Sequence, residues 1–160
     1  MRTIILCTAF AVSSSALAQD SGKQLVGLWK FESSYQELKA NGEKRYAFGE
    51  KPRGYAYFSP GGRIVTVLTA QERSKPKTEA ERAAALSTVY AVSGTYKVTG
   101  KNTYTFKADA SANENLVGTE FGREFKFEGG KLLITTAYSP SAFIEGNPEA
   151  RGVNVLTRAK

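Results

Sequence analysis

Tight, glycine-bearing turns alternate with long connections along this chain, and that rhythm constrains its fold more than any other feature. A period-two reading between turn residues gives eight strands, near residues 25–36, 54–59, 63–69, 93–98, 103–108, 119–127, 131–136 and 152–158. Ser59-Pro60-Gly61-Gly62 joins the second strand to the third. Thr99-Gly100-Lys101-Asn102 joins the fourth to the fifth, and Glu128-Gly129-Gly130 the sixth to the seventh. Such sequences make hairpins. The other connections, residues 37–53, 70–92, 109–118 and 137–151, are long. In an up-and-down antiparallel arrangement every tight turn then falls at one end and every long connection at the other. One end is pinched and the other is a mouth, which is how eight strands close into a cup. The expected fold is all-β, an eight-stranded antiparallel up-and-down barrel.

One long connection has structure of its own. Thr78 is followed three residues later by Glu81, a capping box, and an alanine-rich stretch without glycine or proline follows. The spacing predicts a helix over 79–90, between strands three and four, with Ala83, Leu86, Val89 and Tyr90 on its apolar side. At the mouth it could plug the barrel or act as a lid.

The N-terminus reads as a leader. Met1-Arg2 is basic, residues 3–12 are mostly apolar, and Ala16-Leu17-Ala18 offers small residues before polar Gln19-Asp20. This is the order of a secretory signal peptide cut after Ala18, and the apolar run is too short to span a bilayer. The expected organisation is a leader over 1–18 and one domain over 19–160, secreted or periplasmic. No transmembrane segment is expected, and no internal repeat or second composition regime appears.

Two absences narrow the chemistry. The chain has no histidine, and its one cysteine, Cys7, belongs to the leader. Without imidazole or thiolate the usual zinc, copper and haem sites have no ligands, and no Ser-His-Asp relay can form. A general base would have to be a carboxylate, lysine or tyrosine. No metal or cofactor is expected, and the balance leans away from an enzyme. Lys and Arg number 22 against 15 acidic residues, a net charge of +7. The charges are dispersed, and the densest basic run, residues 73–77, is short and broken by Pro76. A solvated basic surface, or attraction toward anionic ligands and membranes, fits better than nucleic-acid binding.

Several segments resemble a known family. Gly27-Leu28-Trp29 resembles the G-x-W signature of lipocalins and wider calycins. Residues 25–29, 48–54, 59–62, 90–96 and 117–120, with Arg123 and Phe125, are similar in order to the bacterial and fungal lipocalin-like domain family. The resemblance covers nearly the whole domain and implies the barrel, without implying an activity. It also implies one structural pairing, an arginine late in the last strand lying across the tryptophan of the first. Arg158 and Trp29 are the matching residues, so Gly27, Trp29 and Arg158 read as the sealed end.

Alternation proposes the lining. Trp29, Phe31, Ser33 and Tyr35 share one side of the first strand, and Tyr55 and Tyr57 one side of the second. Gly94, Tyr96 and Val98 share a side of the fourth, Tyr104 and Phe106 of the fifth, and Phe121, Arg123, Phe125 and Phe127 of the sixth. The candidate ligand residues are Tyr35, Tyr55, Tyr57, Tyr96, Phe106, Phe121 and Arg123. Tyrosines in such a lining suit a small organic molecule, although aromatic residues also fill small barrels solidly. Arg123 is the sharpest of them. A guanidinium among phenylalanines needs an anion, so it anchors a ligand carboxylate or enolate, pairs internally with Glu37 or Glu114, or faces outward after a one-residue slip. Any acid–base role would fall to Glu114 and Glu120, in or just after the long connection before the sixth strand, although their spacing fixes no mechanism and a solvated loop is the expected state. Three functions compete: a carrier for a partly apolar, anionic molecule, a lipocalin-like isomerase or cyclase, and a solid-core interaction module.

Overall fold

The computed structural model describes residues 22–141 and 144–160. The expected leader, residues 1–18, lies outside the described residues.

Strands β1 (Gly27–Leu38), β3 (Arg53–Phe58), β4 (Arg63–Thr69), β5 (Val89–Gly100), β6 (Thr103–Ser111), β7 (Glu120–Glu128), β8 (Lys131–Thr135) and β10 (Glu149–Arg158) form the barrel. Each neighbouring pair is antiparallel, and β1 pairs with β10 to close the sheet. Two-residue strands β2 (Lys44–Arg45) and β9 (Ser139–Pro140) add to the rims of β1 and β10. The three tight hairpins gather at one end, where Gly27 faces Phe58 and Trp29 faces Arg158. The four longer connections frame the other end.

Alternation explains why these segments are strands. In β4, Ile64, Thr66 and Leu68 are buried while Val65 and Val67 are exposed. In β6, Tyr104, Phe106 and Ala108 point into the core. Gly94 lies at a bulge in β5, and a Cβ there would stand 2.0 Å from the Lys107 carbonyl oxygen. Only glycine lets the two backbones approach so closely.

The helix, α1 (Glu79–Ser87), has the capping box of Thr78 and Glu81 complete. Its expected place between strands three and four is corrected: it follows β4, because the short β2 adds a strand before it. It also ends earlier than residue 90. Val89 and Tyr90 begin β5, where Tyr90 pairs with Leu68, since the ladder beside β4 satisfies more backbone groups than another helical turn. No residue of α1 is buried, so it does not plug the barrel.

The pinched end is sealed by side chains. Residues 22–25 form a helical turn across it, and Leu25 is wholly buried. The Trp29 indole N–H donates to the Leu25 carbonyl at 2.7 Å. Arg158 lies over the indole, its Cζ 4.2 Å from the ring centroid, and donates to the carbonyls of Val26 and Gln24. Gly27 has φ +132°, and a Cβ there would stand 2.2 Å from Arg158 Nη1. Conformation and space both require glycine at this position. From this floor, aromatic rings rise in contact: Trp29–Phe127 at 5.9 Å, Phe127–Phe125 at 5.9 Å, Phe125–Tyr104 at 6.1 Å and Tyr104–Phe58 at 5.7 Å.

Candidate functional site

Above the packed floor the lining changes character. Arg123 is half-buried on the inner side of β7, in phase with Phe121, Phe125 and Phe127. Its register partner on β6 is Tyr104, and that of Phe121 is Phe106. The Phe106 and Phe121 rings stack at 6.1 Å and 21°, and the guanidinium lies 5.1 Å from the Phe121 centroid. On the other flank β8 is short. Its ladder with β7 spans only Glu124 to Glu128, so Arg123 sits just past the last paired residue. This is why a side chain on a barrel wall remains partly open to solvent.

The polar contacts of Arg123 are few. One Nη donates to the Gly122 carbonyl at 2.8 Å, and the Tyr90 hydroxyl lies against the guanidinium. Arg123 makes no ion pair among the described residues. The internal pairings with Glu37 or Glu114 are thereby corrected. Glu37 is bound by Arg151 at 2.7 Å and by the Tyr138 hydroxyl at 2.8 Å, and Glu114 is exposed in a 3-10 turn, Glu114–Leu116. Glu120 is also exposed.

Burial pushes the Tyr90 hydroxyl above its ordinary pKa, a rise that the neighbouring Arg123 charge and hydrogen bond oppose. Burial pushes Tyr104 up further, again against the pull of Arg123. Both stay protonated at neutral pH and can donate a proton in a hydrogen bond. The facing wall adds polar groups. Ser34 donates to Asn154 Oδ1 at 2.8 Å, and the register puts both on the side of Ile134, which is inside. Phe48 and Leu116, from two of the long connections, pack against the core from above. A separate open hollow of about 340 Å³ lies on the rim between Phe48, Gly49, Ala70, Gln71 and Glu72. Arg123 does not line it.

Three expected lining residues are elsewhere. Tyr35 leaves the inner face because β1 is bulged between Phe31 and Ser33. The extra residue reverses the phase, and Tyr35 packs on Tyr46 at 5.4 Å beneath the Lys44 ammonium at 4.7 Å. Tyr55 and Tyr57 face outward, while Ala56 and Phe58 fill the interior. Alternation in β3 is sound, but its phase is the opposite, because the wholly buried Phe58 packs on Tyr96 and Tyr104. Tyr96 is inside but turned to the pinched end, where its hydroxyl donates to the Ser59 carbonyl at 2.9 Å. Phe106, Phe121 and Arg123 do come together. Tyr90 joins them, while Ser34 and Asn154 lie on the inner side of the β1–β10 wall, level with Ile134. Tyr90, expected near the mouth but on the helix, stands on β5 instead, and Ser34 reaches the inner side through a bulge in β1 that no residue pattern announces.

A family profile described as a lipocalin-like domain matches residues 26–160. No curated protein sequence matches the chain.

Proposed function

Because the chain belongs to the lipocalin-like domain family, whose barrel supports ligand binding, we propose that it carries a small, partly apolar molecule bearing an anionic group. One observation carries this reading. A half-buried guanidinium lies on the Phe121 ring, against the Tyr90 hydroxyl, and makes no ion pair among the described residues. A charge in that setting is stabilised by an anion. The planar fork suits a carboxylate or enolate oxygen pair, with the Tyr90 hydroxyl as a further donor. The Phe106–Phe121 pair would receive the apolar body. The aromatic column from Trp29 to Tyr104 fills the lower barrel, so the ligand would occupy the upper part only.

The same geometry argues against the isomerase or cyclase alternative. A tyrosine whose pKa is raised by burial is a poor base near neutral pH, and among the described residues the groups that perturb Tyr90 and Tyr104 include no carboxylate. The site binds and orients better than it transfers protons. Export completes the proposal: cleavage near Ala18 would release a carrier outside the cytoplasm.

Native mass spectrometry of protein purified from its own host tests the reading. A retained small molecule that is lost from the Arg123→Ala variant is the expected result. A ligand retained equally by the variant would overturn the anchor role. Protein that stays empty against a panel of aromatic and aliphatic carboxylates would overturn the carrier.

A further inference from the structure

The outer wall of the barrel is not uniform. Seven large apolar side chains are exposed among the described residues, and five of them share one patch. Leu28 on β1 faces Tyr57 on β3, Tyr57 faces Val65 on β4, and Tyr55 faces Val67. Each is 41–48% exposed. A contiguous patch of this kind marks a contact surface, whereas scattered single residues would not.

Charge says what the patch contacts. Strands β3, β4 and β5 contain no aspartate or glutamate. Lys30 stands opposite Tyr55, and Arg53 lies two residues before it on the same strand. Neither makes an ion pair among the described residues. Asp109, which accepts from Ser93 opposite Val65, is engaged by Arg63, and Glu32 of β1 by Lys131. The patch is therefore apolar in its centre and cationic at its border, on a chain of net charge +7. A second copy would bring like charges together, which disfavours self-association through this face. The surface is also the outer wall of a closed barrel. Tyrosine, apolar in body and polar at its tip, suits the headgroup level of a bilayer.

We propose that the β3–β4 wall docks on anionic lipid bilayers, with Tyr55, Tyr57, Val65 and Val67 at the headgroup boundary and Lys30 and Arg53 on the lipid phosphates. A basic residue near such a surface strengthens attachment severalfold, and short apolar side chains add to it. The barrel would lie on its side, with the mouth left open along the membrane plane.

Flotation with vesicles tests this on the protein as its host processes it. One set is phosphatidylcholine alone, and the other contains phosphatidylglycerol in equal parts. Binding is expected to the mixed vesicles only. Lys30→Gln with Arg53→Gln should weaken it about tenfold or more. Tyr57→Ser with Val67→Ser should also weaken it, at unchanged salt dependence. Both changes are on exposed positions, and an unchanged circular dichroism spectrum and melting midpoint confirm the barrel. Lys107→Gln with Lys126→Gln removes the same charge from the β6–β7 wall and should change binding far less. Equal losses from the two lysine-bearing walls would mean that net charge alone attracts the protein, overturning the patch. Equal binding to both vesicle sets would also overturn the proposal, as would sedimentation showing a dimer broken by the Tyr57 and Val67 changes. No binding to either set, with capture of an acidic protein on the same residues, would replace the membrane by a protein partner.

Discussion

Arg158 and Arg123 each stack on an aromatic ring, one at the pinched end of the barrel and one above it, and they differ in what completes them. Arg158 lies on Trp29 and donates to two backbone carbonyls, with Gly27 making room for it. Arg123 lies on Phe121 and has one carbonyl and the Tyr90 hydroxyl, beside a gap in the wall. The first is satisfied by the fold itself, and its job is closure. The second is held in place by the fold and left short of a counter-ion. A shared chemistry thus serves stability where the surroundings complete it and binding where they do not.

The largest expected effect breaks the sealed end. Trp29→Ala empties the floor of the aromatic column and should cost about 3–5 kcal/mol in denaturant unfolding. A loss under half of that would mean that Leu25 and Phe127 close the end unaided. Gly27→Ala comes next, at about 1–3 kcal/mol, because its φ is unfavourable for a side chain and its Cβ would displace Arg158. Combining it with Arg158→Ala should recover part of that loss, since the clash is then gone. Additive losses would place the strain in the backbone alone.

A pH series compares the column with the mouth. Burial raises the pKa of Tyr90, Tyr96 and Tyr104 above the ordinary 10.0. A raised folded-state pKa contributes stability that is fully present below pH 10 and is lost as the pH rises through the folded value. The barrel should therefore weaken in alkali, and Tyr104→Phe should weaken less over the same range. Parallel curves for the two proteins would show that Tyr104 does not govern the alkaline loss. The smallest effect on stability belongs to Arg123→Ala, within about 0.5 kcal/mol, because it removes no buried ion pair. A cost as large as that of Trp29→Ala would make Arg123 a closing residue like Arg158 and erase the contrast.

The legible parts of this molecule are those set by local chemistry. Glycine turns marked the three hairpins, the capping box marked the start of α1, and the phase of β7 put Arg123 among phenylalanines. The phase of β1 beyond Phe31 was not legible, because a bulge adds a residue without a distinctive side chain. The phase of β3 was ambiguous for a related reason. Tyr55 and Tyr57 alternate with Ala56 and Phe58, and both pairs are apolar enough to face a core.

By itself, the sequence determined the strand rhythm, the two-ended arrangement of the connections and the absence of imidazole chemistry, because turns and composition act locally. Only the tertiary structure decided which tyrosines enter the barrel and which form its outer patch. It also decided that Arg123 would make no ion pair among the described residues. Those outcomes depend on register and on the length of β8, and register is settled by contacts between strands distant in the chain.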